Sequence, residues 1–359
     1  MAYSSISKPS LHFNTKLYTG NGGTQTISGI GHQPDLIWGK NRASNRHFLA
    51  DSVRGKKTTG YYLLCTNNTE ADTSNSASDG ITSINSDGFV LGANASNTDG
   101  GWSYELNGNA RNFVSWNWKA NGQGSSNTDG SINTTYTSVN TTAGFSICKY
   151  TGTGSNATVG HGLGVAPKMI IVKQLNSTNY WTVYHKSLSA NSWLYLDTTE
   201  AVASNTAMWN NTEPTSSVFS IGTYTNTNQS SSTYVAYCFA EKTGYSKFGS
   251  YVGNGNADGT FIYTGFKPAF ILLKHTTSAE SWHLFDGKRA NLFNPVNGRL
   301  QADSSGAEYT GKNVFDFLSN GFKLKDNNGA YNGSGSTYIY MAFAEAPLVG
   351  TNNVPCTAR

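Results

Sequence analysis

The sequence states one phrase three times. Leu17-Tyr18-Thr19-Gly20-Asn21-Gly22, Lys149-Tyr150-Thr151-Gly152-Thr153-Gly154 and Ser250-Tyr251-Val252-Gly253-Asn254-Gly255 each open a unit. A proline follows each tyrosine by 16 or 17 residues (Pro34, Pro167, Pro268), and each begins an apolar run that ends in lysine (Lys40, Lys173, Lys274). Beyond a polar loop, Trp181–His185 aligns with Trp282–Asp286 and more loosely with His47–Asp51. Each copy then starts a strand at Phe89, Phe219 or Phe322 and closes on an aromatic one, Val114–Trp118, Val235–Phe239 or Ile339–Phe343. The second and third closings run on into Glu241 and Glu345. A period of about 100 residues means that one structural plan must serve three divergent sequences.

That plan is β. The Pro-led runs are short, apolar and bounded by turn residues, as buried strands of a sandwich core are. Phe145-Ser146-Ile147-Cys148-Lys149-Tyr150 alternates as a half-buried strand does. Amphipathic helical periodicity is absent, and turn pairs such as Asp258-Gly259 and Asn297-Gly298 separate the runs. The pattern predicts an all-β chain of three tandem β-sandwich, jelly-roll-like repeats. The expected boundaries are an N-terminal attachment segment 1–11, repeats 12–120, 144–247 and 248–346, a linker 121–143 and a C-terminal tail 347–359. Each repeat is large enough to fold alone. The copies could form a compact pseudo-threefold body or beads on a string. The short junction Gly244–Gly249 predicts tighter contact between the second and third copies than between the first and second.

Composition narrows the function. Only 13% of residues are charged while 13% are aromatic, so core material is ample and the polar surface is mostly neutral. A net charge of +4 without a basic stripe argues against nucleic-acid binding. Cys65, Cys148, Cys238 and Cys356 are far apart with no CxxC pair, which suits reduced thiols rather than a disulfide framework or a zinc site. The N-terminus lacks the apolar stretch of a signal peptide, and no run is long enough for a membrane span.

Chemistry-bearing patterns are sparse. Asp51-x-x-Arg54 and Asp286-x-x-Arg289 share a spacing that the middle copy replaces with His185 and Leu188. Such a pair could orient a substrate, but it reads first as a local, weak surface salt bridge. His32 and His161 lie in glycine-rich turns that precede no helix, so they read as structural. No nucleophile elbow, HExxH or P-loop is present, and a non-enzyme without cofactor or metal is expected. Trp181 and Trp282 read as core. Recognition would then lie in the loops before the closing strands, 94–110, 222–232 and 325–336, where the copies differ most. Their aromatic residues Trp102, Tyr104, Tyr224 and Tyr331 could stack on sugars or protein, or could pin the loops to the sandwich.

Met1–Ile6, Phe13–Gly22, Pro34–Arg42, Asp51–Gly55 and Ser86–Phe89 together resemble a family of structural proteins of marine tailed bacteriophages, described as tail-fibre-like or minor virion proteins. Tyr150–Ser155, Gly160–Gly164 and Tyr234–Glu241 extend the resemblance over nearly the whole chain. Gly39 departs from it, since the family tends to a larger apolar residue there. The resemblance implies a virion protein assembled in the bacterial cytoplasm, with tail or capsid proteins and host surface glycans as partners. It implies a tail fibre or appendage, with a capsid decoration protein as the alternative and a polysaccharide depolymerase as a third reading. A homo-oligomer, a trimer by analogy with fibres, is expected.

Overall fold

The tripled phrases supply the opening strands of three similar sheets. The computed structural model describes residues 4–57, 60–72, 80–93, 102–289, 294–352 and 355. In the first copy the opening strand Phe13–Thr19 pairs with the closing strand Asn112–Trp118, then the Pro-led strand Leu36–Asn41, then His47–Asp51. The second copy repeats that order with Phe145–Thr151, Thr233–Phe239, Met169–Gln174 and Thr182–His185. The third does so with Ser246–Val252, Thr337–Pro347, Phe266–His275 and His283–Asp286. Register repeats as well: Phe13 faces Trp118, Phe145 faces Phe239 and Ser246 faces Phe343. A smaller outer sheet backs each inner one, built around Gly88–Leu91, Val218–Ile221 and Gly321–Leu324. All pairing between these strands is antiparallel, and the fold is all-β with sandwich-like layers.

The inner strands read as continuous apolar runs because both their faces are buried. Along Thr233–Phe239, Val235, Tyr237 and Phe239 point into a central core, while Tyr234, Ala236 and Cys238 point into the second copy's own core. Ile339, Met341 and Phe343 do the same in the third copy, as do Val114, Trp116 and Trp118 in the first. The central core therefore draws on all three copies, and the outer sheets close three separate cores behind it. Each large side chain buried there contributes about 1.5–3 kcal/mol. Copies that share their main core are not independent units. The structure is a closed pseudo-threefold body, not beads on a string.

Three seams close that body, and the same positions make each one. Arg42, Leu175 and Thr276 accept, through their carbonyl oxygens, the N–H of Glu308, Asp72 and Val202 in the next copy at 2.7, 2.7 and 2.8 Å. The lysines that end the Pro-led runs are buried and donate across the same seams: Lys40 to Ser305 O, Lys173 to Thr69 O and Lys274 to Thr199 O. Burial pushes Lys40 down to about 7 and Lys173 and Lys274 to about 8. His47 Nε2, Trp181 Nε1 and Trp282 Nε1 complete the set, donating to Gln301 O, Cys65 O and Tyr195 O of the neighbouring copy. Trp181 and Trp282 are core residues, as read, but their polar edges also lock one copy to the next.

Three expectations change. The stretch 121–143 is no tether: Tyr136–Asn140 adds an edge strand to Phe145–Thr151, and Ile132 N–H bonds Thr158 O beside the outer sheet. Asp35 anchors its start, accepting from Ala120 N–H at 2.7 Å and Gly122 N–H at 3.0 Å. The N-terminal attachment segment packs down too, with Ile6 in the central core and Ser4 buried. The first–second and second–third seams share the backbone, lysine and tryptophan contacts, so the long stretch 121–143 does not leave the first copy loosely attached. Cys65, Cys148 and Cys238 are free and buried, and Cys356 lies outside the described residues.

Gly39 has a local reason. Its cross-strand partner is Phe48, and a Cβ on Gly39 would lie 2.0 Å from the Phe48 ring. The corresponding pairs are Val172 with Thr182 and Leu273 with His283, so a small residue here is matched by a larger one opposite. Gly39→Val should cost about 1–3 kcal/mol by overpacking. Adding Phe48→Thr should recover most of that loss in urea unfolding. No recovery would show that Gly39 is needed for another reason.

Candidate functional site

The acid–arginine motif is structural, and its burial was not legible. Asp51 and Arg54 are both buried, with Arg54 Nε 2.6 Å from Asp51 Oδ2 and Arg54 Nη1 2.9 Å from Asp72. Asp286, Arg289 and Glu308 repeat the arrangement. Each inner carboxylate also accepts from the neighbouring copy, Asp51 from Tyr237 Oη and Asp286 from Trp116 Nε1. At the remaining seam Met341 occupies the corresponding place and offers no donor. There His185 turns Nε2 to Tyr340 O, and Leu188 with Val202 packs where the arginine and outer acid would be. Among the described residues, both inner carboxylates and both arginines are buried. His32 bonds Ser10 O and His161 bonds Thr215 O, so both serve their turns.

The loops before the closing strands each form a short helical turn, Trp102–Asn107, Thr225–Asn228 and Gly329–Asn332. The last residue of each is an asparagine whose Oδ1 accepts from the loop after the opening strand, at Asn21, Thr153 and Asn254. Its Nδ2 donates onward, to Gly23 O, Ser155 O and Asn256 O. The opening tyrosines reach the same turns: Tyr18, Tyr150 and Tyr251 donate to Leu106 O, Thr227 O and Tyr331 O. The glycine two residues on is forced by close approach. A Cβ on Gly20, Gly152 or Gly253 would lie 2.4 Å from the carbonyl oxygen of Gly108, Gln229 or Gly333. The repeated Tyr-x-Gly phrase is thus a socket for the helical turn. The asparagines were missed, although each stands five residues before a closing strand begins (Asn112, Thr233, Thr337).

On these rigid turns the three copies present different groups. In the first, the Arg46 guanidinium sits 4.6 Å from the Trp102 ring centre and is tied to Glu105 and Glu70. Arg111 lies over Tyr104 at 5.8 Å, and loop residues 94–101 lie outside the described residues. In the third, Tyr331 is 1% exposed and packs beside His283 and Phe285, so its ring has no face to offer. Tyr331 belongs to the core, which corrects its expected place on a contact surface.

The second copy differs. Tyr180, 40% exposed, stacks on Tyr195 with ring centres 4.5 Å apart. Behind them Trp193 packs on Tyr224 at 5.6 Å. Amides brace the stack: buried Asn226 donates Nδ2 to Tyr195 Oη at 3.0 Å, and half-buried Asn179 donates Nδ2 to Gln174 Oε1 and Thr225 O. Gln174 continues to Gln229 and Ser232. Burial pushes the Tyr195 phenol up to about 12. Of the four aromatic residues singled out from sequence, only Tyr224 joins this group. Tyr180 and Tyr195 were missed because they flank the Trp181 strand, far from the loops.

A family model described as a domain of unknown function, DUF7483, matches residues 8–347. The chain belongs to this family. No curated protein matches the sequence. The match begins before the first opening strand and ends with the last closing strand, so the DUF7483 domain is the whole three-copy body, not one repeat. Among the described residues, no group of three or more His, Cys, Asp or Glu is placed to hold a metal ion, and no helix is long and apolar enough to cross a membrane.

Proposed function

We propose that this DUF7483 protein is a non-enzymatic structural component of a phage virion, a tail fibre or appendage part, that contacts host surface glycans through the Tyr180–Tyr195 platform. The observation that carries the contact is the stacked tyrosine pair, Tyr180 exposed over a half-buried Tyr195, with the half-buried amide of Asn179 beside it. Sugar rings present C–H faces that pack on aromatic rings, and their hydroxyls match amide donors and acceptors. The virion placement rests on the sequence resemblance and agrees with buried reduced thiols. A single chain already closes the threefold arrangement that a fibre usually assembles from three.

Tyr180→Ala should weaken binding of the purified protein to host envelope polysaccharide about tenfold, the loss of ~1.4 kcal/mol of stacking, with its thermal unfolding unchanged. Undiminished binding would remove the platform from the account. Cryo-electron microscopy of the particle separates this reading from its alternatives: density on the capsid lattice supports a decoration protein instead. Release of reducing sugar from the polysaccharide would make the protein a depolymerase.

A further inference from the structure

We propose that the tip of the third copy recognises the carboxylate of an acidic sugar, with Arg299 as the reading residue and Tyr309 as its stacking shelf. The inference rests on the glycan-contact reading and names the sugar class. Arg299 begins the strand Arg299–Gln301, at the position that Trp193 holds behind the tyrosine platform of the second copy. Its guanidinium lies 4.9 Å from the Tyr309 ring centre, and Tyr309 is 43% exposed. Nη1 donates to Tyr331 Oη at 2.7 Å, which fixes the plane of the fork.

What sets Arg299 apart is the missing acid. Arg42, Arg46, Arg54 and Arg289, the other arginines of the seams and tips that are at least partly buried, each pair with a carboxylate. Arg299 pairs with none among the described residues, and its Nε is buried without an acceptor. Asp326, the carboxylate acting on Tyr331, turns Oδ1 to the Asn328 N–H, leaves Oδ2 buried without a hydrogen bond, and makes no ion pair with Arg299. On the adjacent strand His283 is buried with neither ring nitrogen partnered, 5.0 Å from the Tyr331 ring. A permanent planar cation, half-buried beside an exposed ring and neutralised by no carboxylate of the described residues, is the arrangement that takes a carboxylate from outside through the guanidinium N–H groups that Tyr331 and burial leave free. Stacked on Tyr309, a uronate ring would bring its carboxylate to that fork.

Isothermal titration of the full-length protein with tetragalacturonate, and with its carboxyl-reduced neutral counterpart, tests this. Tighter binding of the acidic form by about tenfold is expected, with the advantage falling as salt rises. Arg299→Gln should erase the preference while leaving neutral binding in place, and Arg299→Lys should keep part of it, because charge remains but the fork is gone. Matched thermal unfolding of both variants excludes a folding defect. Equal binding of the two sugars by the wild type, or an undiminished preference in Arg299→Gln, overturns the carboxylate assignment and leaves the platform standing. Binding of neither sugar overturns the glycan reading, and this one with it.

Discussion

Asp51→Ala should lower the free energy of unfolding by about 3–5 kcal/mol, because it leaves a fully buried guanidinium with only the outer acid Asp72 to balance it. Arg54 loses the carboxylate that holds its Nε, and Tyr237 Oη loses its acceptor in the same step. The corresponding change Asp286→Ala leaves Arg289 with Glu308 alone and takes the acceptor from the Trp116 N–H. There, burial alone would raise the carboxyl, and the Arg289 charge and hydrogen bonds overturn that, holding it below the usual carboxylate range. The seam that lacks the ion pair shows how the loss can be offset. Replacing Asp51, Arg54, Asp72 and Tyr237 together by His, Leu, Val and Met copies the set His185, Leu188, Val202 and Met341. Buried ion pairs exchanged for well-packed apolar groups are often neutral in stability, so this quadruple variant should lie within about 1.5 kcal/mol of the wild type. Guanidinium unfolding at pH 7 measures both. If the quadruple variant is as unstable as Asp51→Ala, the three seams are not interchangeable solutions to one packing problem.

Trp118→Ala should cost about 3–5 kcal/mol, and the loss should fall on the whole body at once. The indole packs on Phe13 of its own copy, on Phe239 of the second, and on Phe270 and Phe343 of the third, with ring centres 4.9 to 6.1 Å away. Scanning calorimetry should therefore give one transition in the wild type and one, moved to lower temperature, in the variant. A second transition left in place by Trp118→Ala would mean that some copy folds by itself. Trp118→Phe should be far milder, since the indole nitrogen is buried without a partner among the described residues and its removal breaks no hydrogen bond.

Much of the scaffold could be read in advance because it is periodic. Tyr18, Tyr150 and Tyr251 mark a socket, Pro34, Pro167 and Pro268 mark a doubly buried strand, and each of these signals is local. The aromatic platform was less legible. Tyr180, Tyr195 and Tyr224 are far apart in sequence and meet only because one strand edge and one helical turn converge. Tyr331 was misplaced for the converse reason: its loop looked variable, yet its ring fills the core position that Leu106 and Thr227 hold in the other turns.

The threefold phrase by itself determined the β content and the repeated order of opening, Pro-led and closing strands, because side-chain alternation and turn chemistry act over a few residues. Only the tertiary structure decided that the copies close on one another. The contacts responsible, such as Lys40 with Ser305 and Trp116 with Asp286, join residues more than a hundred positions apart. Their partners are mostly backbone carbonyls, which every residue carries, so nothing in the sequence distinguishes them before the chain has folded.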